Sequence, residues 1–203
     1  ERVDIFGLNL KAEAQVMKLK QNNLILLAVL LGLLLATSPS TAAGVDFKLQ
    51  AAIFLKIFGY DASISKSPEK VIIFNVVVDS NTSSQSGKLK SGFGILSSKK
   101  AAGKKIQLKF VKVNALSEPL KGNGVHIIYL PDGSSGATLK AATKVGLARK
   151  IPVFAGSEKL VKDGAGVGVS VAGGKPKILV NLKQSRSMGM KLSSQFLKLA
   201  KII

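Results

Sequence analysis

The chain has 203 residues, 46% of them apolar, with 30 Lys and Arg against 11 Asp and Glu for a formal charge of +19. That length predicts one domain, or two short ones, with apolar residues enough for a real core. The absence of Cys excludes disulfides, thiolate chemistry and cysteine zinc sites, and the single His excludes a histidine metal cluster.

Residues 17–43 read MKLKQNNLILLAVLLGLLLATSPSTAA, a short basic stretch, an apolar run from Leu24 to Ala36, then small residues ending at Ala42-Ala43. That three-part layout predicts a secretory signal peptide. The apolar run falls short of the roughly 20 residues a spanning helix needs. A lipoprotein anchor would need a Cys. Residues 1–16 precede Met17 and are read as an extension ahead of the true start, which leaves a domain at 44–203. That stretch holds 26 Lys/Arg and 8 Asp/Glu, so its charge is 26 − 8 = +18 and the basicity belongs to the domain. Exported domains often rely on disulfides; one of about 160 residues can rely on its core instead.

VDFKLQAAIFLKIF (45–58) has helical apolar spacing at 47, 51, 54, 55 and 58. VIIFNVVVD (71–79) is a β-branched run, too uniformly apolar for a strand with one wet face, and predicts a central strand. SNTSSQSG follows as a loop, and KLKSGFGILSSKKAAGKK as a basic, helical connector. IQLKFVKV (106–113) alternates and carries outward lysines, which suits a sheet edge. VHIIYL (125–130) is a short buried strand, ATLKAATKVGLARK a helix, IPVFA (151–155) a strand, and SEKLVK a short helix with Ser157 as N-cap. AGVGVSVAGGKPKILVNL predicts a hairpin turning at Gly173-Gly174. The chain closes on a helix or helix pair over 183–202, interrupted near Gly189, with Leu192, Phe196, Leu199 and Ile203 on one face. Strands alternating with helical connectors imply crossover units. The predicted fold is therefore a three-layer α/β domain, its sheet mostly parallel, with an antiparallel C-terminal hairpin and a closing C-terminal helix.

The closing stretch NLKQSRSMGMKLSSQFLKLAKII, after the strand KPKILV, resembles the end of the YfiR family. Asn181, Gly189, Ser193, Ser194, Leu197, Leu199 and Ala200 match that family's strand-end Asn, Gly step and Ser-Ser-x-Leu-Leu-x-Leu-Ala helix, with Phe196 in place of a Leu. The LQAAIFLKIF helix, the VHIIYLP strand and the hairpin before Lys177 are similar in order and spacing, so the resemblance covers most of 45–203. It implies a periplasmic regulator that represses a membrane-bound diguanylate cyclase by protein–protein contact. The disulfide-forming cysteines known in that family have no counterpart here.

Signs of chemistry are sparse. There is no phosphate-binding loop motif, and the G-x-G steps at 92–94, 122–124 and 164–166 lack the context of a dinucleotide site. Gly166-Val167-Gly168 lies in a strand pattern, where glycine marks a bulge or a close backbone approach. His126 reads as a structural or surface histidine, and Asp79 and Asp132 lie at strand ends, where α/β enzymes place ligands and catalytic groups but loop capping is commoner. No catalytic residue, metal or cofactor is predicted. Three hydroxyl-rich loops, 80–87, 132–136 and 156–159, should meet at the carboxyl ends of the strands. Their residues Ser83, Ser84, Ser134, Ser135 and Ser157 precede helices and are candidates for holding a small anion. Lys99, Lys100, Lys104 and Lys105 form the densest basic patch. Export and the scarcity of aromatics argue against nucleic acid as a partner. A membrane protein, an anionic lipid surface, a small anion and a second copy of the chain stay open. The leading reading is an exported, non-enzymatic binding protein, periplasmic or secreted; the alternative is a periplasmic small-anion-binding module.

Overall fold

The computed structural model describes residues 45–203 except 117, 119 and 173–174. The predicted extension, signal peptide and Gly173-Gly174 turn lie outside the described residues.

The β-branched run becomes β1 (Val71–Val78), and it takes parallel neighbours on both sides because it has no wet face. Following the chain, the other strands are β2 (Lys100–Ala101), β3 (Lys104–Lys112), β4 (Val125–Leu130), β5 (Val153–Ala155), β6 (Val167–Ala172), β7 (Lys175–Val180) and β8 (Lys201–Ile202). They form one sheet in the order β2-β3-β1-β4-β5-β6-β7-β8. β1 pairs with β3 from Val71↔Lys105 to Val78↔Lys112, and with β4 from Ile72↔Val125 to Val76↔Tyr129. Among the strand pairs of the described residues only β2–β3 and β6–β7 are antiparallel, the second being the predicted hairpin. The mostly parallel α/β fold is thus as the sequence predicts.

Two helical layers follow from the period-two alternation of the strands. Ile72, Phe74, Val76, Tyr129 and Phe154 face α1 (Phe47–Tyr60), together with Phe93, which closes a later helix at 86–93. Val77, Ile128, Leu130, Val153 and Ala155 face the other way, toward Leu139, Ala142, Leu160 and Val161. α1 starts where the Asp46 carboxylate accepts the N–H groups of Lys48 and Leu49, at 2.9 and 3.1 Å. It buries Ala51, Phe54, Ile57 and Phe58. Their rings join an aromatic cluster, with Phe93 and Tyr129 at 4.6 Å and Phe54 and Phe154 at 5.1 Å between centroids.

Tyr129 brings a hydroxyl into that apolar layer, which is costly unless bonded. Gln50 on α1 supplies the partner: the Tyr129 hydroxyl donates to Gln50 Oε1 at 2.7 Å, and Gln50 Nε2 donates to the Val45 carbonyl at 2.7 Å. Burial pushes the phenol well above its ordinary pKa, with the Asp132 charge adding to it. Tyr129→Phe leaves Gln50 Oε1 buried without a donor, so denaturant unfolding is expected to register a loss of about 1–2 kcal/mol.

The remaining helices are α2 (Ala62–Ser65), α3 (Ser86–Phe93), α4 (Gly136–Arg149), α5 (Glu158–Lys162), α6 (Leu182–Ser187) and α7 (Ser194–Leu197). Two stretches differ from their sequence reading. The basic connector is helical only as far as Ser98, through α3 and a 3-10 turn at Gly94–Ser98. It then turns back between β2 and β3 through Ala102 (φ 50) and Gly103 (φ 76), the pair of positive angles that a two-residue hairpin demands.

The chain's end also differs. α6 stops at the left-handed Gly189 (φ 84), as the interruption predicts. Residues 190–193 then run extended beside α1's end rather than resuming a helix. Ala62 N–H donates to the Lys191 carbonyl and Ser193 N–H to the Tyr60 carbonyl, at 2.9 and 3.0 Å, while Lys191 N–H donates to Asp61 Oδ1 at 2.9 Å. α7, capped by Ser193, lasts four residues before β8 pairs in parallel with Leu179 and Val180. Phe196 is buried, but Leu199 is 67% exposed, so the predicted single apolar face does not form. Pairing with β7 bonds backbone groups that one more helical turn would leave to water. The fold is closed by a short helix and an edge strand.

Candidate functional site

β1 has β3 on one side and β4 on the other, so the connections diverge at its carboxyl end and leave a crevice there. Asp79, the residue after β1, sits in that crevice. Its Oδ1 accepts from the Thr82 amide at 3.0 Å and the Thr82 hydroxyl at 2.8 Å. Its Oδ2 accepts from the Ser135 amide at 2.8 Å and the Thr138 hydroxyl at 2.6 Å. Burial pushes this carboxyl up, but the bonds from Ser135, Thr138 and Thr82 together outweigh it and hold the pKa down at about 2. The carboxylate also lies at the amino end of α4, where the helix dipole favours negative charge.

The three hydroxyl-rich loops do meet. Gln85 Nε2 donates to the Asp132 carbonyl at 3.2 Å, tying loop 80–87 to loop 132–136. Gly156, at the start of the third loop, packs so closely that a Cβ there would lie 2.8 Å from both Asp132 N and the Tyr129 hydroxyl. The serines are employed unequally. Ser135 Oγ caps α4 by accepting from Thr138 N–H at 3.1 Å, and Ser83 Oγ donates to the Ser80 carbonyl at 2.9 Å. Ser84 is exposed, Ser157 precedes α5 without a side-chain capping bond, and Ser134 Oγ is buried without a partner. A cleft of about 570 Å³ opens beside Asp79, walled by Ser83, Lys112, Asn114 and Ser135. The donors best placed for an external anion, Ser135 N–H and Thr138 Oγ1, already serve Asp79.

The four lysines of the basic patch separate. Lys99, Lys100 and Lys105 are exposed, and Lys100 stands directly opposite Lys105 across the β2–β3 pair, an arrangement of like charges that costs stability. Lys104 is only 7% exposed. Its ammonium donates to the Ser67 and Glu69 carbonyls, at 2.7 and 2.8 Å, and fixes the loop before β1. A buried cation needs such partners, which removes it from the surface patch.

His126 is held at both ring nitrogens: Nε2 lies 2.9 Å from the Gly122 carbonyl and Nδ1 3.4 Å from Asn75 Nδ2. With the proton on Nε2, that nitrogen donates to the Gly122 carbonyl and Nδ1 is left as an acceptor beside Asn75 Nδ2. Asn75 is buried in the middle of β1 and also donates to the Ile73 and Ile127 carbonyls, at 3.1 and 2.9 Å. Sequence reasoning passed over Asn75, although one amide inside VIIFNVVV was a visible signal. Among the described residues no group of His, Asp and Glu could hold a metal, and no helix is long and apolar enough to cross a membrane.

Comparison with known proteins gives a family and a fold. The family model described as YfiR/HmsC-like matches residues 47–201. No curated protein matches the chain. Among solved structures, a conserved domain protein from Vibrio cholerae O1 biovar El Tor is 14% identical, with 77% of this chain and 59% of that one covered and a TM-score of 0.50. The ABC domain in complex with L-Trp from Streptococcus pneumonia is 14% identical over 78% of this chain and 62% of its own, with a TM-score of 0.49. CD0873, a substrate-binding protein with adhesive properties from Clostridium difficile, is 18% identical over 75% and 58%, with a TM-score of 0.48. The chain spans about three-fifths of the length of these structures. The likeness to the Vibrio cholerae protein is one of fold alone.

Proposed function

Since this chain belongs to the YfiR/HmsC-like family, whose model matches residues 47–201, we propose that it restrains a membrane-bound diguanylate cyclase by direct contact from the periplasmic side. The family is one of periplasmic, non-catalytic regulators, and that membership is the observation that carries the reading. In this proposal residues 17–43 direct export and the domain from residue 44 onward does the binding.

The use made of the polar groups supports a binding role. The carboxylate best placed for acid–base work, Asp79, is occupied by four hydrogen bonds that hold two loops to α4. The histidine is engaged at both nitrogens. The hydroxyls within reach of Asp79, those of Thr82 and Thr138, donate to the carboxylate and tie the loops together, and His126 meets Asn75 and the Gly122 carbonyl.

Crosslinking in intact cells, followed by identification of the captured protein, tests the proposal. A membrane protein with a periplasmic sensor region and a cytoplasmic cyclase domain is the expected catch. A chain that captures no membrane protein, yet melts at a higher temperature with phosphate, nucleotides or small carboxylates, would be a ligand-binding module instead.

A further inference from the structure

At the other end of the sheet, where β4 and β5 begin, a cleft of about 880 Å³ gathers positive charge. Lys66 comes from the turn after α2, Arg149 and Lys150 from the end of α4, and Lys191 from the extended stretch between α6 and α7. His126 and Glu69 complete the ionisable lining, so four permanent cations face one carboxylate.

Lys150 and Lys191 are positioned by groups that do not neutralise them. Arg149 Nη1 donates to the Glu118 carbonyl and Lys150 Nζ to the Ser187 carbonyl, both at 2.9 Å. Lys191 is fixed through its main chain, by Asp61 and Ala62. Among the described residues Lys66, Lys150 and Lys191 take no part in an ion pair; those present use Glu158 and Asp163. Cations near a helix end are ordinary, and that accounts for Arg149 and Lys150. Lys66 likewise follows the end of α2, but a helix end does not account for Lys191, delivered to the same recess by the stretch between α6 and α7. Lys150 is further set apart by its left-handed backbone, φ 55 and ψ 43, at a helix end where glycine or asparagine is the unstrained choice.

We propose that this cleft receives an acidic stretch of polypeptide from the protein partner, its Asp or Glu side chains meeting Lys66, Lys150 and Lys191. The inference rests on the reading that the domain works by protein contact, and adds which surface is used and what chemistry it meets. A recess favours a chain that can enter it over the plane of a bilayer, which would meet an outward surface such as that of Lys99, Lys100 and Lys105. Its volume exceeds what one small anion fills, and complementary charge at such a surface speeds encounter and selects the partner.

The test uses the full chain and a fluorescein-labelled poly-glutamate peptide, read by fluorescence anisotropy. One variant combines Lys66→Gln, Lys150→Asn and Lys191→Gln; asparagine tolerates the left-handed backbone at 150. A control combines Lys99→Gln, Lys100→Gln and Lys105→Gln and loses the same charge. The cleft variant is expected to bind the peptide about tenfold more weakly or worse, as three exposed ion pairs allow, and the control to change by less than about twofold. Equal losses in both would mean that only total charge matters and would overturn the proposal. So would displacement of the peptide by inorganic phosphate at equal carboxylate and phosphate concentrations, or a cleft variant that loses retention on phosphatidylglycerol vesicles as fully as it loses the peptide. Matching thermal melts certify the fold, and Lys66→Gln and Lys191→Gln alone give the same comparison where the triple variant melts early. Capture of a membrane protein in cells with equal yield from the cleft variant would refute this inference while leaving the regulatory reading intact.

Discussion

Replacing Gly168 by alanine is expected to cost about 2–3 kcal/mol, at the upper end for an overpacked core. Gly168 lies on β6, paired with Ala155 of β5 and covered by α5. A Cβ there would stand 2.3 Å from Val161 Cγ2 and 2.9 Å from the Ala155 carbonyl oxygen. Val161 is fully buried, so turning its side chain drives a methyl group into the second layer of the core, and the carbonyl belongs to a paired strand. Neither obstacle yields cheaply. Thermal unfolding should fall by roughly 5–10 °C for a domain of this size. Gly59→Ala is the contrasting change: that glycine is exposed in the last turn of α1 with nothing within 4 Å of the added carbon, so stability should rise by up to about 0.5 kcal/mol. A stable Gly168→Ala protein would mean that α5 does not seat on β6 as described.

Asp79→Asn should cost about 2–4 kcal/mol above pH 5, because an amide oxygen replaces a charge and an NH₂ group now faces the donors of Ser135 and Thr138. The pH dependence identifies the cause. The folded pKa, about 2, lies below the ordinary value of 3.8, so the stabilisation is present above that ordinary value and is lost as pH falls through the folded one. Discounted for the carboxylate's partial exposure to water, the shift is worth on the order of 1 kcal/mol. Wild type should therefore weaken between about pH 4 and pH 2 from this group while the variant does not, and the gap between the two should narrow across that window. A gap unchanged from pH 6 to pH 2 would show that the carboxylate's charge contributes nothing to the fold.

The elements read best from the sequence are those whose burial is uniform along their length. VIIFNVVV and VHIIYL have no face that water could tolerate, and both became interior strands with bounds close to the expected ones. The Gly166–Gly168 step signalled close backbone approach, which the contacts of Gly168 with Ala155 and Val161 bear out. The last 15 residues misled because their helical spacing competes with partners far away in sequence. Asp61 fixes Lys191, β7 offers an open edge to residues 201–202, and the periodicity of Leu192, Phe196 and Leu199 reports neither. Lys104 was hidden in the same way, since a run of lysines does not reveal which one finds two carbonyls to bond. The crevice loops were legible because strand ends in a parallel sheet must share one side. The basic cleft was not: Lys66, Arg149, Lys150 and Lys191 are scattered along the chain, and only the fold brings them into one recess.

The regulatory account is tested most directly by the cyclic dinucleotide that a diguanylate cyclase makes. Cells lacking this chain should hold more of it than the parent strain, and returning the full chain should lower it again. Returning a form without residues 17–43 should have no effect. Equal levels in all these strains, with the protein present at normal amounts, would contradict the account.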